Sequence, residues 1–278
     1  MTHEEVFPHA SFKSHMPFFD GQTLLFCRAD QAVEHRVANG GAIWRMMEDN
    51  PRLKEHFADL PRYSTIRYRA WKLAYADWSD RQPRPISTGL PTGAVECSPA
   101  FYREGKTCHV SFIGGLPAEQ GLEYHLYQMS GPSLDRLGPA QCVLPAQARL
   151  GFVSPSHVCI GRPRQLILTD RANNRHLLVD YPLSRVYRVT FCADRVESLL
   201  ITGIDRHNAE TTLLYRLDTN ATLEVRAPDR VYKSTLCGGR IVFARRDAGD
   251  FEDRRLWHGQ FSLTPSTVRI LRAGLGTK

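Results

Sequence analysis

Six segments of this chain repeat one pattern: a polar start, an apolar strand, a tight turn and a second apolar strand. They run His15–Phe26, Tyr63–Tyr75, Cys97–Val110, Val153–Leu168, Arg188–Ile201 and Lys233–Phe243. Asp20-Gly21, Glu104-Gly105 and Gly238-Gly239 fall where a two-residue hairpin turn demands positive φ. Third strand-like runs follow at Ala42–Met47, Leu122–Tyr127, His176–Val179, Thr212–Leu217 and Arg255–Phe261. More polar fourth runs, Thr222–Arg226 and Thr267–Leu271, close their units. Taking Pro17, Thr65, Pro99, Pro155, Thr190 and Thr235 as equivalent, the spacing averages about 44 residues, the period of a four-stranded propeller blade.

The pattern predicts an all-β β-propeller over residues 1–278, with six blades starting near 10, 62, 96, 150, 187 and 231. The second unit is short, and its third strand would have to come from Arg84–Ser87. If that unit belongs to a neighbour, the count is five. Two stacked sheets or a β-sandwich are the competing architectures. Glu48–Leu60 reads as a helical turn inserted in the first blade.

A chain of 278 residues buries enough surface to fold without metals or disulfides. Its seven cysteines are odd in number, scattered and without a C-x-x-C pair, which speaks against a disulfide framework or zinc site. The eleven histidines show no ligand spacing, so no metal is expected. No run is apolar enough for a membrane span, and the N-terminus lacks the core of a secretory signal; cytoplasm is the simplest expectation. The net charge of +7 comes mostly from arginines spread along the chain rather than clustered, which argues against a nucleic-acid partner. Walker, G-x-G-x-x-G, G-x-S-x-G and H-E-x-x-H motifs are absent, and no cofactor is implied.

In a propeller the first strand of each blade lines the central channel. The loops between second and third strands share a rim with the starts of those first strands, and binding residues concentrate on such loops. Two residue sets therefore stand out. His15, Arg62, Tyr63, Glu96, Ser154, Arg188 and Lys233 open the inner strands. Asp30, Asp77, Asp170, Asp205 and Asp247 follow strands, each with an arginine nearby (Arg28, Arg81, Arg171, Arg206, Arg246). Aspartate also starts turns for its own backbone's sake, so this ring reads either as turn chemistry or as a polar pocket. Trp78 lies beside Asp77 and Asp80, where an indole could stack on a sugar face, whereas Trp44, Trp71 and Trp257 read as packing between blades.

The segment Glu96-Cys-Ser-Pro-Ala-Phe-Tyr-Arg-Glu-Gly-Lys-Thr-Cys-His-Val-Ser-Phe-Ile-Gly-Gly115 resembles the general-acid strand of arabinanase- and xylosidase-type propeller glycosidases. There a glutamate precedes a proline, an aromatic strand, a glycine turn and a second aromatic strand. The resemblance implies five blades and makes Glu96 the acid, with Asp77 or Asp30 as its partner carboxylate. Those enzymes also carry an aspartate on the first inner strand, where this chain reads His15-Met16-Pro17. Two functions follow as expectations. One is binding or conversion of a small sugar-like or anionic ligand at the channel mouth; the other is a scaffold for protein interaction without chemistry. From the cysteine pattern, mass spectrometry of the unreduced protein is expected to find free thiols, and two or more intramolecular disulfides would contradict it.

Overall fold

The computed structural model describes residues 3–29, 32–38, 63–119, 121–144, 147–162, 165–207, 209–225, 232–246 and 254–272. None of these lies in a helix. The expected helical turn at 48–60 and third run at 42–47, with Trp44, fall outside the described residues, as do Asp30, Arg62 and Asp247.

The chain opens with a two-residue strand, β1 (Glu4–Glu5). Blade 1 follows with β2 (Lys13–Phe19) and β3 (Thr23–Ala29). The chain then leaves the blade for a separate hairpin, β4 (Ala32–Ala38) on β5 (Tyr63–Arg69), and returns as β6 (Lys72–Asp77) and β7 (Arg84–Pro85). Blade 2 holds β8 (Val95–Glu104), β9 (Thr107–Ala118), β10 (Gly121–Gly131) and β11 (Gln141–Cys142). Blade 3 holds β12 (Gly151–Val153), β13 (His157–Arg162), β14 (Gln165–Asp170) and β15 (His176–Asp180). Blade 4 holds β16 (Arg185–Cys192), β17 (Arg195–Ile204), β18 (Glu210–Arg216) and β19 (Ala221–Val225). Blade 5 holds β20 (Tyr232–Cys237), β21 (Arg240–Arg246) and β22 (Arg254–Gln260). The inner strands β2, β8, β12, β16 and β20 each pack on the next, and β20 packs on β2. This is a five-bladed β-propeller.

Five is the alternative count, reached because the second repeat divides. Tyr63–Arg69 pairs with β4 in the inserted hairpin, and Lys72–Asp77 is the third strand of blade 1. In blade 3 the inner strand is only three residues long, so the segment Val153–Leu168 holds the second strand and most of the third. A tight turn causes the shift: Ser154 N donates to His157 O at 2.8 Å.

Ring closure also departs from the expectation that the run Thr267–Leu271 closes its own unit. The outer edge of β22 is taken by β1, with Glu4 opposite His258 and Glu5 opposite Trp257, and Arg255 Nη1 lies 3.1 Å from Glu5 Oε1. The last strand, β23 (Val268–Arg272), instead pairs with β19 and becomes a fifth strand of blade 4. Pairing chain start to chain end removes an edge that would otherwise offer unpaired backbone groups to other chains.

The axis is filled rather than open at its middle. Phe191 of β16 meets Phe18 of β2 at 5.0 Å and Phe152 of β12 at 5.4 Å between ring centroids, and all three rings are buried. Three blades thus share one aromatic contact. Phe191→Ala should therefore destabilise the whole ring by about 3–5 kcal/mol, measured as the change in urea-unfolding free energy. A loss under about 1 kcal/mol would show that the axis is not a packed core.

Candidate functional site

The inner strands break their ladders at one level. Each of β2, β8, β16 and β20 carries a one-residue bulge against its neighbour, between His15 and Phe18, Cys97 and Ala100, Val186 and Arg188, and Tyr232 and Thr235. Three bulges hold a non-glycine residue in the left-handed region: Met16 (φ 52), Ser98 (φ 52) and Lys233 (φ 51). Pro17 and Pro99 sit inside two of them, where a strand tolerates a residue without N–H. Left-handed backbone costs a residue with a Cβ about 1–2 kcal/mol, and bulges re-aim side chains, so the same level of several blades bears this cost.

The bulges share one end of the axis, the mouth. Ser98 N donates to Met16 Sδ at 3.1 Å, joining β8 to β2. The guanidinium of Arg188 reaches across: Nη1 donates to Lys233 O at 2.8 Å and Ser234 O at 3.5 Å, and Nη2 to Pro99 O at 3.5 Å. Arg188 is 1% exposed, and burial lowers its pKa to about 10, so it is cationic at neutral pH. The inner strands β2, β8 and β20 also bury the side chains of Ser14, His15, Ser98, Lys233, Ser234 and Thr235. The hydroxyls of Thr190, Ser234 and Thr235 have no hydrogen-bond partner among the described residues. The thiols of Cys27 and Cys97 are within electrostatic reach of Arg188. Burial pushes Cys27 well up and Cys97 to about 11, so both stay protonated at neutral pH.

Glu96 opens β8 at this same end, yet its carboxylate turns into blade 1. Oε1 accepts from Thr88 Oγ1 at 2.6 Å and from Lys72 Nζ at 3.1 Å, and Oε2 accepts from Leu73 N at 2.9 Å. The Glu96 backbone N–H donates to Trp71 O at 2.7 Å. Glu96 is the one buried carboxylate among the described residues. Its three donors join blade 2 to the third strand of blade 1.

The other sequence-predicted residues scatter. Asp77 ends β6 opposite Thr23, while Glu96 binds Leu73 N four residues earlier on that strand, a separation of roughly 13 Å along it. Asp77 cannot be Glu96's catalytic partner; it pairs with Arg84 at 2.5 Å. Trp78 sits at the same far end, between Phe19 at 4.6 Å and the guanidinium carbons of Arg81 and Arg240, each 4.8 Å from its ring. Asp170 follows a third strand rather than a second and lies opposite His157, beside the turn that holds Ser154, also away from the mouth. Its Oδ1 accepts from Ala172 N at 2.7 Å, which holds the carboxyl below its usual range. Asp205 is on the mouth rim after β17, but its Oδ1 accepts from His207 N at 2.8 Å and Ala209 N at 2.9 Å, and the Ala209 bond leads in lowering its pKa. Turn chemistry thus accounts for both of these aspartates. Tyr63 starts β5 in the inserted hairpin, outside the inner ring.

The mouth therefore gathers His15, Arg188 and Lys233 from the predicted set, with Glu96 behind them. Trp71 and Lys72 escaped the sequence reading as site residues. The ring of Trp71 covers the His15 imidazole at 3.7 Å between centroids, and Lys72 anchors Glu96. Their only signal was position inside the misassigned second repeat, Tyr63–Tyr75.

No protein-family model matches the chain, and no curated protein does either. Solved structures do. A family 117 glycoside hydrolase from the marine bacterium Zobellia galactanivorans superposes with a TM-score of 0.51 at 10% identity, over 89% of this chain and 84% of that one. A bifunctional GH43–CE protein of Bacteroides eggerthii gives 0.51 at 10% identity, over 97% of this chain and 36% of that one. The likeness is one of fold. It agrees with the propeller fold that the resemblance of the Glu96 strand implied.

Because Glu96 accepts from Leu73 N, Thr88 Oγ1 and Lys72 Nζ, Glu96→Gln should lower unfolding free energy by about 1–3 kcal/mol, read in urea. An unchanged midpoint would show that these bonds hold nothing together and would return Glu96 to the list of reactive groups.

Proposed function

We propose that this propeller binds a small, negatively charged polar ligand of the sugar-acid class at the mouth of its axis, with Lys233, Arg188 and His15 as the recognising groups. The observation that carries the reading is Arg188: a cation in the middle of the fold whose described hydrogen bonds all go to backbone carbonyls. Carbonyls solvate the charge without cancelling it, so the mouth keeps a positive field in a low-dielectric setting. Lys233 adds a second charge on the adjoining strand, and the hydroxyls of Ser234 and Thr235 offer the partners a hydroxylated ligand needs.

Glycoside hydrolysis, which the resemblance implied, fits these residues less well. It requires two carboxylates about 5–9.5 Å apart across the scissile bond. Among the described residues the single buried carboxylate is committed to three donors, and the bulge positions of the first and fifth blades hold Met16 and Lys233.

Calorimetric titration should find that glucuronate binds at least tenfold more tightly than glucose at pH 7. Lys233→Met should weaken glucuronate about tenfold or more, equivalent to 1.4 kcal/mol. Equal affinity for the two sugars, or no binding of glucuronate, would overturn the reading. Hydrolysis of a neutral aryl glycoside that disappears in Glu96→Gln would replace it with the glycosidase one.

A further inference from the structure

A second cationic feature lies on the mouth side, between blades 3 and 4. Residues flanking the inner strands, Leu150 before β12 and Arg185 to Tyr187 in β16, meet the end of β13 across a cleft of about 620 Å³. That volume suits a small organic ligand. The lining includes three arginines, Arg149, Arg162 and Arg185, three tyrosines, Tyr124, Tyr181 and Tyr187, and no carboxylate among the described residues.

Two of the guanidiniums are held in place by ring faces. Arg149 lies over Tyr124 at 5.5 Å and Arg185 over Tyr187 at 5.3 Å. Such contacts orient a guanidinium without consuming its N–H donors, which remain available for oxyanions and lose less freedom on binding. Tyr181 Oη donates to Arg162 O at 2.9 Å, tying the third arginine's backbone to the cleft wall. The floor is tight: a Cβ on Gly161 would come within 2.5 Å of Leu150 Cβ. Several arginines elsewhere in the fold meet carboxylates, as Arg84 meets Asp77 and Asp80, Arg216 meets Asp218 and Arg269 meets Glu224. Three guanidiniums with no acidic side chain among the described lining residues give the cleft a positive potential that an entering oxyanion would meet.

We infer that this cleft is a binding site for a small polyanion carrying two or more oxyanion groups, separate from the ligand at the axis. Linked carboxylates, as in an acidic disaccharide, and linked phosphates share the chemistry that Arg149, Arg162 and Arg185 would grip. The spread of the three arginines around the cleft favours a molecule with separated charges over a single ion.

The test is calorimetry with digalacturonate and with pyrophosphate at 0.15 M salt, on the wild type, on the Arg162→Gln/Arg185→Gln double variant and on Lys233→Met. All three arginines of the cleft are exposed, so the double variant should keep the wild-type melting temperature. At least one probe should bind saturably, with affinity falling tenfold or more in the double variant and unchanged in Lys233→Met. Tighter binding of digalacturonate identifies carboxylates as the natural groups, and tighter binding of pyrophosphate identifies phosphates. Absence of saturable binding by both probes would overturn the inference. So would binding that survives the double variant, or binding that Lys233→Met abolishes, which would place the anion at the axis instead.

Discussion

Five strands can converge on one axis only if something satisfies the backbone where they crowd together, and here a single guanidinium does so. Arg188 donates to carbonyls of β20 and β8 from its seat on β16, bridging blades 4, 5 and 2. Those carbonyls are presented by the bulges at Ser98–Pro99 and Lys233–Ser234, which break the ladder and turn backbone toward the centre. Beneath this polar layer the Phe18–Phe191–Phe152 contact seals the axis with apolar area. The two layers divide the work: rings supply non-directional burial, and Arg188 supplies direction.

That division shapes what the mouth can do. A buried arginine solvated by carbonyl dipoles keeps its charge, whereas one paired with a carboxylate would present none. Glu96 opens an inner strand at the same end as Arg188, but its bonds to Thr88, Lys72 and Leu73 hold it in the seam between blades 1 and 2. The outcome is a cationic mouth on a fold that glycoside hydrolases also use. A shared propeller fold does not carry a shared function with it, because function depends on the side chains a site presents.

The aspartate regularity shows how a real sequence pattern can carry a different cause. Asp170 and Asp205 both bond the backbone two residues on, which is the turn chemistry that aspartate supplies anywhere. They lie at opposite ends of the propeller, because one follows a third strand and the other a second. Trp78 was misplaced for the same reason. Because β6 is the third strand of blade 1, Trp78, just past its end, lies at the end remote from the mouth.

Much of the fold was legible from residues alone. Alternation at period two, hairpin glycines and a spacing of about 44 residues determine an all-β repeat, and the X-Pro steps at Met16-Pro17 and Ser98-Pro99 mark two of the bulges. The placement of His15, Arg188 and Lys233 at the inner-strand starts also follows from that repeat. Strand ownership did not follow from it. Tyr63–Arg69, Lys72–Asp77 and Val268–Arg272 have the alternation of any strand, and only long-range pairing assigns them to a hairpin, to blade 1 and to blade 4. The direction of Glu96's carboxylate was equally hidden, since its donors come from positions 72, 73 and 88 and meet it only after blades 1 and 2 pack. Local chemistry determines that a segment is a strand. The neighbour it bonds, and the end of the barrel-like ring at which its polar residues emerge, depend on contacts between residues far apart in the chain, which exist only in the folded state.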